Sequence, residues 1–309
     1  MTRQIKFGYE MEFLAKPIES RNNGMRTTYE SVEQTSYRYA KVITDATGIA
    51  VASESYSHGA VTTDFKLVTD ASVRCCSEIT CRCHLHGLEL VSRPYTNLSE
   101  FTSHLRQIKR VMSKLGVTIN HRCGLHVHHD IATNDIDKDG IIKLNRYYAQ
   151  SDHLIASLIG KERLHNGYCK PYTRRDGEFN DTRDIEVLLK YEQSIREEAL
   201  YTHKDDDYVS RLRLNGIGWM LSPDSTNRYR NVNVNAKNRH KTLEFRAMQS
   251  TLDIDDTVRW IEFTNALMYK AKSFKVLDTF ARRTPTRDNV ESMFNKLQLD
   301  FYDYKEFYN

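Results

Sequence analysis

Four widely separated segments alternate apolar residues with acids or imidazoles, and this limits the fold more than any other feature of the chain. Successive side chains on a strand point to opposite faces. In FGYEMEF (7–13), Tyr9, Met11 and Phe13 therefore share one side, and Glu10 and Glu12 share the other. GLELVS (87–92) sets Leu88 and Leu90 against Glu89. CGLHVHHD (123–130) sets Leu125 and Val127 against His126, His128 and Asp130, and TLEFRAM (242–248) sets Leu243 and Phe245 against Glu244 and Arg246. His129 falls on the apolar side, where packing is the expected role.

A half-exposed strand of an antiparallel sheet also alternates, but its wet face usually mixes in Lys, Thr and Ser. Here the charged faces are nearly all Glu and His. Glu10 and Glu12 lie about 7 Å apart on one face at about 3.3 Å rise per residue. Carboxylates held together raise one another's pKa, and divalent cations between them remove that penalty. Oxygen ligands with one or two imidazoles suit Mg²⁺ or Mn²⁺ better than Zn²⁺. The sequence has no H-E-x-x-H helix, phosphate-binding P-loop or G-x-G-x-x-G fingerprint. A nucleotide would therefore bind through metals and basic side chains on an open sheet.

The chain has 309 residues and a formal net charge of +4, too mild to indicate nucleic acid. No apolar run has the length of a membrane span, and MTRQIKFGYEMEF lacks the apolar stretch of a secretion signal. A reducing cytoplasm is the expected compartment. Four of the six cysteines fall in RCCSEITCRCHLHG. Cys75, Cys76, Cys81 and Cys83 could ligate a structural zinc, but their irregular spacing favours a hairpin tip with reduced, unbound thiols.

The expected architecture is α+β. Strands dominate the first 130 residues, with one helix in NLSEFTSHLRQIKRVMSKLG. There Asn97 caps, Glu100 completes a capping box, and Gly116 stops the helix. Further helices are expected over 138–160, 183–203, 254–272 and 287–297. This reads as a single domain over 1–309, with a helical insertion at about 131–212 and C-terminal helices at about 253–309.

In this order, FGYEMEF, VTDASV with GLELVS, CGLHVHHD, RLHNGYCKP, NRYRNVNVNA and TLEFR resemble the amidoligases of the glutamine-synthetase-like carboxylate–amine ligase superfamily. The matching stretches span residues 7 to 246. The resemblance implies a curved antiparallel β-sheet of glutamine-synthetase catalytic-domain type, with helices on its convex face and divalent metals and ATP on its concave face. It implies that Glu12 and Glu89 bind one cation and that Glu10, His126 and Glu244 bind a second. His128 then touches nucleotide phosphate, and Arg246 meets the acyl phosphate or the substrate carboxylate. Asp70 and Ser72 fall on a D-G-S pattern in which Ala71 replaces the glycine, and Asp70 is the candidate general base. The loop carrying Arg163, Asn166, Tyr168 and Lys170 also matches. It is either a flap that sets Arg163 or Lys170 on a phosphate or carboxylate, or a surface loop packed through Tyr168. In NRYRNVNVNA, Arg228 and Arg230 precede alternating Asn231, Asn233 and Asn235, and Arg228, Arg230 and Asn233 are candidate nucleotide contacts.

The implied reaction is ATP-dependent ligation of a carboxylate and an amine through an acyl phosphate, with two Mg²⁺ or Mn²⁺ ions. The substrates would be small molecules or peptides. The alternatives are phosphoryl transfer from ATP to a guanidino or amine nitrogen on the same type of sheet, and a non-catalytic nucleotide-binding protein.

Overall fold

The computed structural model describes residues 5–22, 26–55, 60–75, 84–159, 163, 166, 169, 230–234, 236, 240–275 and 286–301. In chain order the elements are β1 (Phe7–Ala15), β2 (Glu19–Asn22), β3 (Arg26–Tyr29), α1 (Val32–Thr47), β4 (Val51–Glu54), β5 (Phe65–Thr69), β6 (His86–Ser92) and α2 (Leu98–Lys114). There follow β7 (Gly124–Asp130), α3 (Lys138–Ile159), β8 (Val232–Asn233), β9 (Thr242–Gln249), α4 (Ile254–Lys270), a 3-10 turn (Ala271–Ser273) and α5 (Arg287–Leu297). Seven strands form one large sheet in the order β4-β5-β6-β1-β7-β9-β8, and β2 pairs with β3 alone. The sheet is mostly antiparallel, with β4 and β5 running parallel. Among the described residues no helix is long and apolar enough to cross a membrane.

The chain divides into two compact units. One comprises Ile5–His128 with Met248–Ile261, and the other Met1–Gln4, His129–Ala247 and Glu262–Asn309.

In the first unit the apolar faces of the strands meet α1 and α2. Phe7, Tyr9, Phe65, Tyr95 and Phe101 are fully or almost fully buried, with the Phe101 ring edge-on to Phe7 at 5.0 Å and to Tyr9 at 5.2 Å. Edge-on pairs of this kind add to area burial. Helix α2 buries Phe101, Leu105, Ile108 and Met112 at the expected helical spacing. Asn97 accepts from the Glu100 N–H at 3.1 Å, but only this half of the expected capping box forms, because the Glu100 carboxylate accepts from Arg93 at 2.6 Å. Gly116 adopts a left-handed φ of 72° just past the helix end, where its lack of Cβ suits a stop.

Helix α1 is a second helix where the sequence reading expects one. Its β-branched Val32, Thr35, Val42, Ile43, Thr44 and Thr47 weaken the helical signal. The start is nonetheless explicit: Ser31 and Gln34 form a reciprocal capping box. On its inner face Ser36 hydrogen-bonds Ser53 of β4 at 2.8 Å, and Tyr39 packs near Phe13 of β1.

The start of α4 is tied to α2 by a buried cation. Lys109 is 2 % exposed and donates to the Asp253 carbonyl at 3.1 Å and the Thr257 hydroxyl at 2.7 Å. Burial pulls its pKa down to about 7, against the opposing pull of Asp253 and Asp256.

Gly87 opens the GLELVS strand where two backbones nearly touch. A Cβ there would meet the Asp70 carbonyl at 2.3 Å and the Val73 carbonyl at 2.4 Å, so only glycine fits without a backbone shift. Nearby, Cys75 is disulfide-bonded. This corrects the expectation of reduced, unbound thiols, which rested on compartment and spacing and could not register proximity. Cys76, Cys81 and Cys83 lie outside the described residues, while Cys123 and Cys169 are buried thiols.

In the second unit α3 buries residues on most of its circumference. Tyr147 stacks on Phe274 with ring centroids 3.9 Å apart, and Phe263 packs near Phe294. His129 is a core residue, as its place on the apolar side of β7 predicts. It is fully buried, within 2.8 Å of the Thr264 hydroxyl and edge-on to Phe245. Helices α3, α4 and α5 fall where the sequence places them, and the helix expected over 183–203 lies outside the described residues.

Candidate functional site

The register of β1 and β6 builds the first part of the site. Glu12 stands directly opposite Glu89, and Glu10 stands opposite Val91. Next to β1 on its other side, a Cβ on Gly8 would lie 3.7 Å from His128 Cβ, and the Gly124 N–H donates to Glu12 Oε2 at 2.6 Å. β7 therefore runs antiparallel to β1 with His126 beside Glu10. The alternation read from the sequence turns all these side chains onto one face.

They converge there. His126 Nδ1 lies 3.3 Å from Glu10 Oε2 and 3.9 Å from Glu89 Oε1, and its Nε2 lies 3.6 Å from Glu12 Oε1. His128 Nε2 lies 3.3 Å from Glu10 Oε1. One ligand atom each from Glu10, Glu89 and His126 fall within 4.8 Å of one another. The cluster is not a solvated strand face, since His126 is 2 % and Glu12 8 % exposed.

Buried carboxylates require compensation. Burial alone would raise the pKa of Glu10, but the His128 and His126 imidazoles beside it outweigh burial and hold it well below the usual carboxylate range. Two carboxylates and one imidazole with convergent lone pairs are a donor set that fits a divalent cation of the Mg²⁺ or Mn²⁺ class.

In the second unit, Glu244 on β9 is the cross-strand partner of Asn233 on β8. Glu244 is 4 % exposed. Its Oε2 accepts from Asn233 Nδ2 at 2.6 Å, and its Oε1 pairs with the Arg246 guanidinium. The backbone of Arg246 is held at both ends, its N–H donating to the Asn231 carbonyl at 2.8 Å and its carbonyl accepting from Arg163 at 3.1 Å. Arg163 is thus not a surface residue. It is 3 % exposed, and its guanidinium serves a strand carbonyl beyond the end of the two-residue β8.

Asp70 sits at a turn after β5, where its carboxylate accepts from the Ser72 N–H at 2.7 Å. Arg230 is half-buried at an isolated bridge. Tyr168, Lys170, Arg228 and Asn235 lie outside the described residues.

Lys66 on β5 has no part in the sequence reading. It stands opposite Val91, the residue that Glu10 faces on the other side, and so belongs to the acid-bearing face. Its ammonium pairs with Glu54 of β4 at 3.0 Å. The available signal was a single cation inside an otherwise apolar strand, FKLVT.

The profile of the family described as "Putative amidoligase enzyme" matches residues 3–268 of the chain. No curated protein matches it.

Proposed function

The chain belongs to the amidoligase family, which points to a ligase-type enzyme, and from that premise we propose that it joins a carboxylate to an amine at the expense of ATP, through an acyl phosphate. The observation that carries this reading is the convergence of Glu10 and Glu89, both partly buried, with the buried His126 on one sheet face. A free carboxylate is a poor electrophile. Mg²⁺-bound ATP would supply the phosphoryl group that activates it, with the cations screening the charge of the transfer.

The protein's own groups have distinct tasks in this proposal. Glu10, Glu89 and His126 hold a cation, Glu12 adds a further carboxylate to that ligand set, and His128 binds a phosphoryl oxygen. Asn233 orients the Glu244 carboxylate, and Arg230 is the basic candidate for the nucleotide. Arg246, held at both ends of its backbone, offers a fixed positive charge to the oxyanion that forms when the amine attacks. Asp70 takes the amine proton. We place this chemistry on a sheet of glutamine-synthetase type, backed by helices.

The test is incubation of the protein with ATP, Mg²⁺ and pools of carboxylates and amines, followed by a mass-spectrometric search for products lighter than their parents by one water. An amide formed together with ADP and free phosphate is expected. A phosphorylated amine or guanidine without free phosphate would replace ligation by phosphoryl transfer. No ADP under any pool would remove the enzyme reading.

A further inference from the structure

The five strands β1, β4, β5, β6 and β7 contain a single lysine or arginine, Lys66. The pairings Lys66↔Val91 and Glu10↔Val91 put Lys66 and Glu10 in one cross-strand row on the same face. Adjacent strands are about 4.8 Å apart, so the two backbone positions lie about 10 Å apart with only Val91 between them. Within β1, β4 and β6 that face carries the carboxylates of Glu10, Glu12, Glu54 and Glu89.

Lys66 is 2 % exposed, and Glu54 holds its ammonium at 3.0 Å. An ion pair between a buried lysine and a part-exposed carboxylate contributes little net stability over an apolar pair of the same size, so folding alone gives this face no need of a lysine. A polyanion does. An ammonium is a compact point charge with three donors, suited to keep one carboxylate while reaching a second anion, and lysine binds phosphate as a point charge.

We propose that Lys66, fixed in place by Glu54, binds a phosphoryl oxygen of the nucleotide held over the Glu10, Glu89 and His126 cluster. This rests on the ligase reading above and adds to it a specific phosphate-binding residue.

Titration calorimetry of the full chain with the Mg²⁺ complex of a non-hydrolysable ATP analogue tests the assignment. Lys66→Met should weaken binding by about tenfold or more, the loss expected for one charged hydrogen bond, and Lys66→Arg should restore most of it. Should Lys66→Met alone fail to fold, the double variant with Glu54→Gln leaves no buried charge without its partner and should show the same loss. Mn²⁺ affinity, read by electron paramagnetic resonance without nucleotide, should stay at the wild-type value. Equal nucleotide affinity in wild type and variants overturns the role of Lys66 alone. A parallel loss of Mn²⁺ binding makes Lys66 a support of the face and likewise overturns it. A wild-type protein that binds no nucleotide overturns this proposal and the ligase reading together.

Discussion

Glu12 on β1 and Glu89 on β6 are direct cross-strand partners, two carboxylates face to face on adjacent strands with His126 within 3.9 Å of both. Like charges placed directly opposite destabilise a sheet by about 0.2–1 kcal/mol. Glu89→Gln should therefore raise unfolding free energy by about that amount in chelator-treated protein. The same variant should gain less than wild type when Mg²⁺ or Mn²⁺ is added. Urea unfolding with and without the metal measures both effects.

Lys109 gives the protein a pH-dependent stability remote from the acid cluster. Its pKa is near 7 in the folded chain against 10.5 for the ordinary group. Between these values the unfolded chain binds more protons, so stability rises with pH across that window, while below pH 7 the folded state bears the full penalty of the buried charge. Lys109→Met should flatten the wild-type rise in melting temperature from pH 7 to 10 and melt higher than wild type at pH 6.

His129 and its neighbours in sequence should separate cleanly. Thr264→Val removes the hydroxyl 2.8 Å from the buried His129 ring and should cost about 1–3 kcal/mol of stability. Divalent-cation affinity should not change, because His129 lies on the opposite side of β7 from His126 and His128.

Asp70→Asn distinguishes turn from chemistry. An asparagine oxygen still accepts from the Ser72 N–H, so the turn and the melting temperature should survive. Amide formation should fall by about 10²–10⁴-fold, the range lost with a general base, while nucleotide affinity stays at the wild-type value. An unchanged rate of amide formation would leave Asp70 with a turn role only.

The sequence reached the acid-bearing face because strand alternation has a period of two, and Glu10, Glu89 and His126 each sit opposite apolar neighbours that must be buried. Alternation alone could not set Glu12 opposite Glu89, which only the family resemblance brought to one cation, since register depends on which strands meet. For the same reason Lys66 went unnoticed: FKLVT reveals a cation in a strand, but only the register places it in a row with Glu10. Helix α1 was hidden by β-branched residues, although Ser31 and Gln34 marked its start. The burial of Arg163 was not legible because a basic residue in a polar loop suggests solvent or ligand, whereas its donation to the Arg246 carbonyl of β9, beyond the end of the two-residue β8, depends on tertiary placement that sequence does not display.

The cation cluster is tested most directly by Mn²⁺ titration under electron paramagnetic resonance, comparing wild type with Glu10→Gln and Glu89→Gln. Wild type should take up Mn²⁺ displaceable by Mg²⁺, and each variant should bind at least about tenfold more weakly, since even the loss of groups that merely support metal ligands has such an effect. Wild-type protein that takes up no Mn²⁺, or variants that bind it as tightly as wild type, would contradict the account.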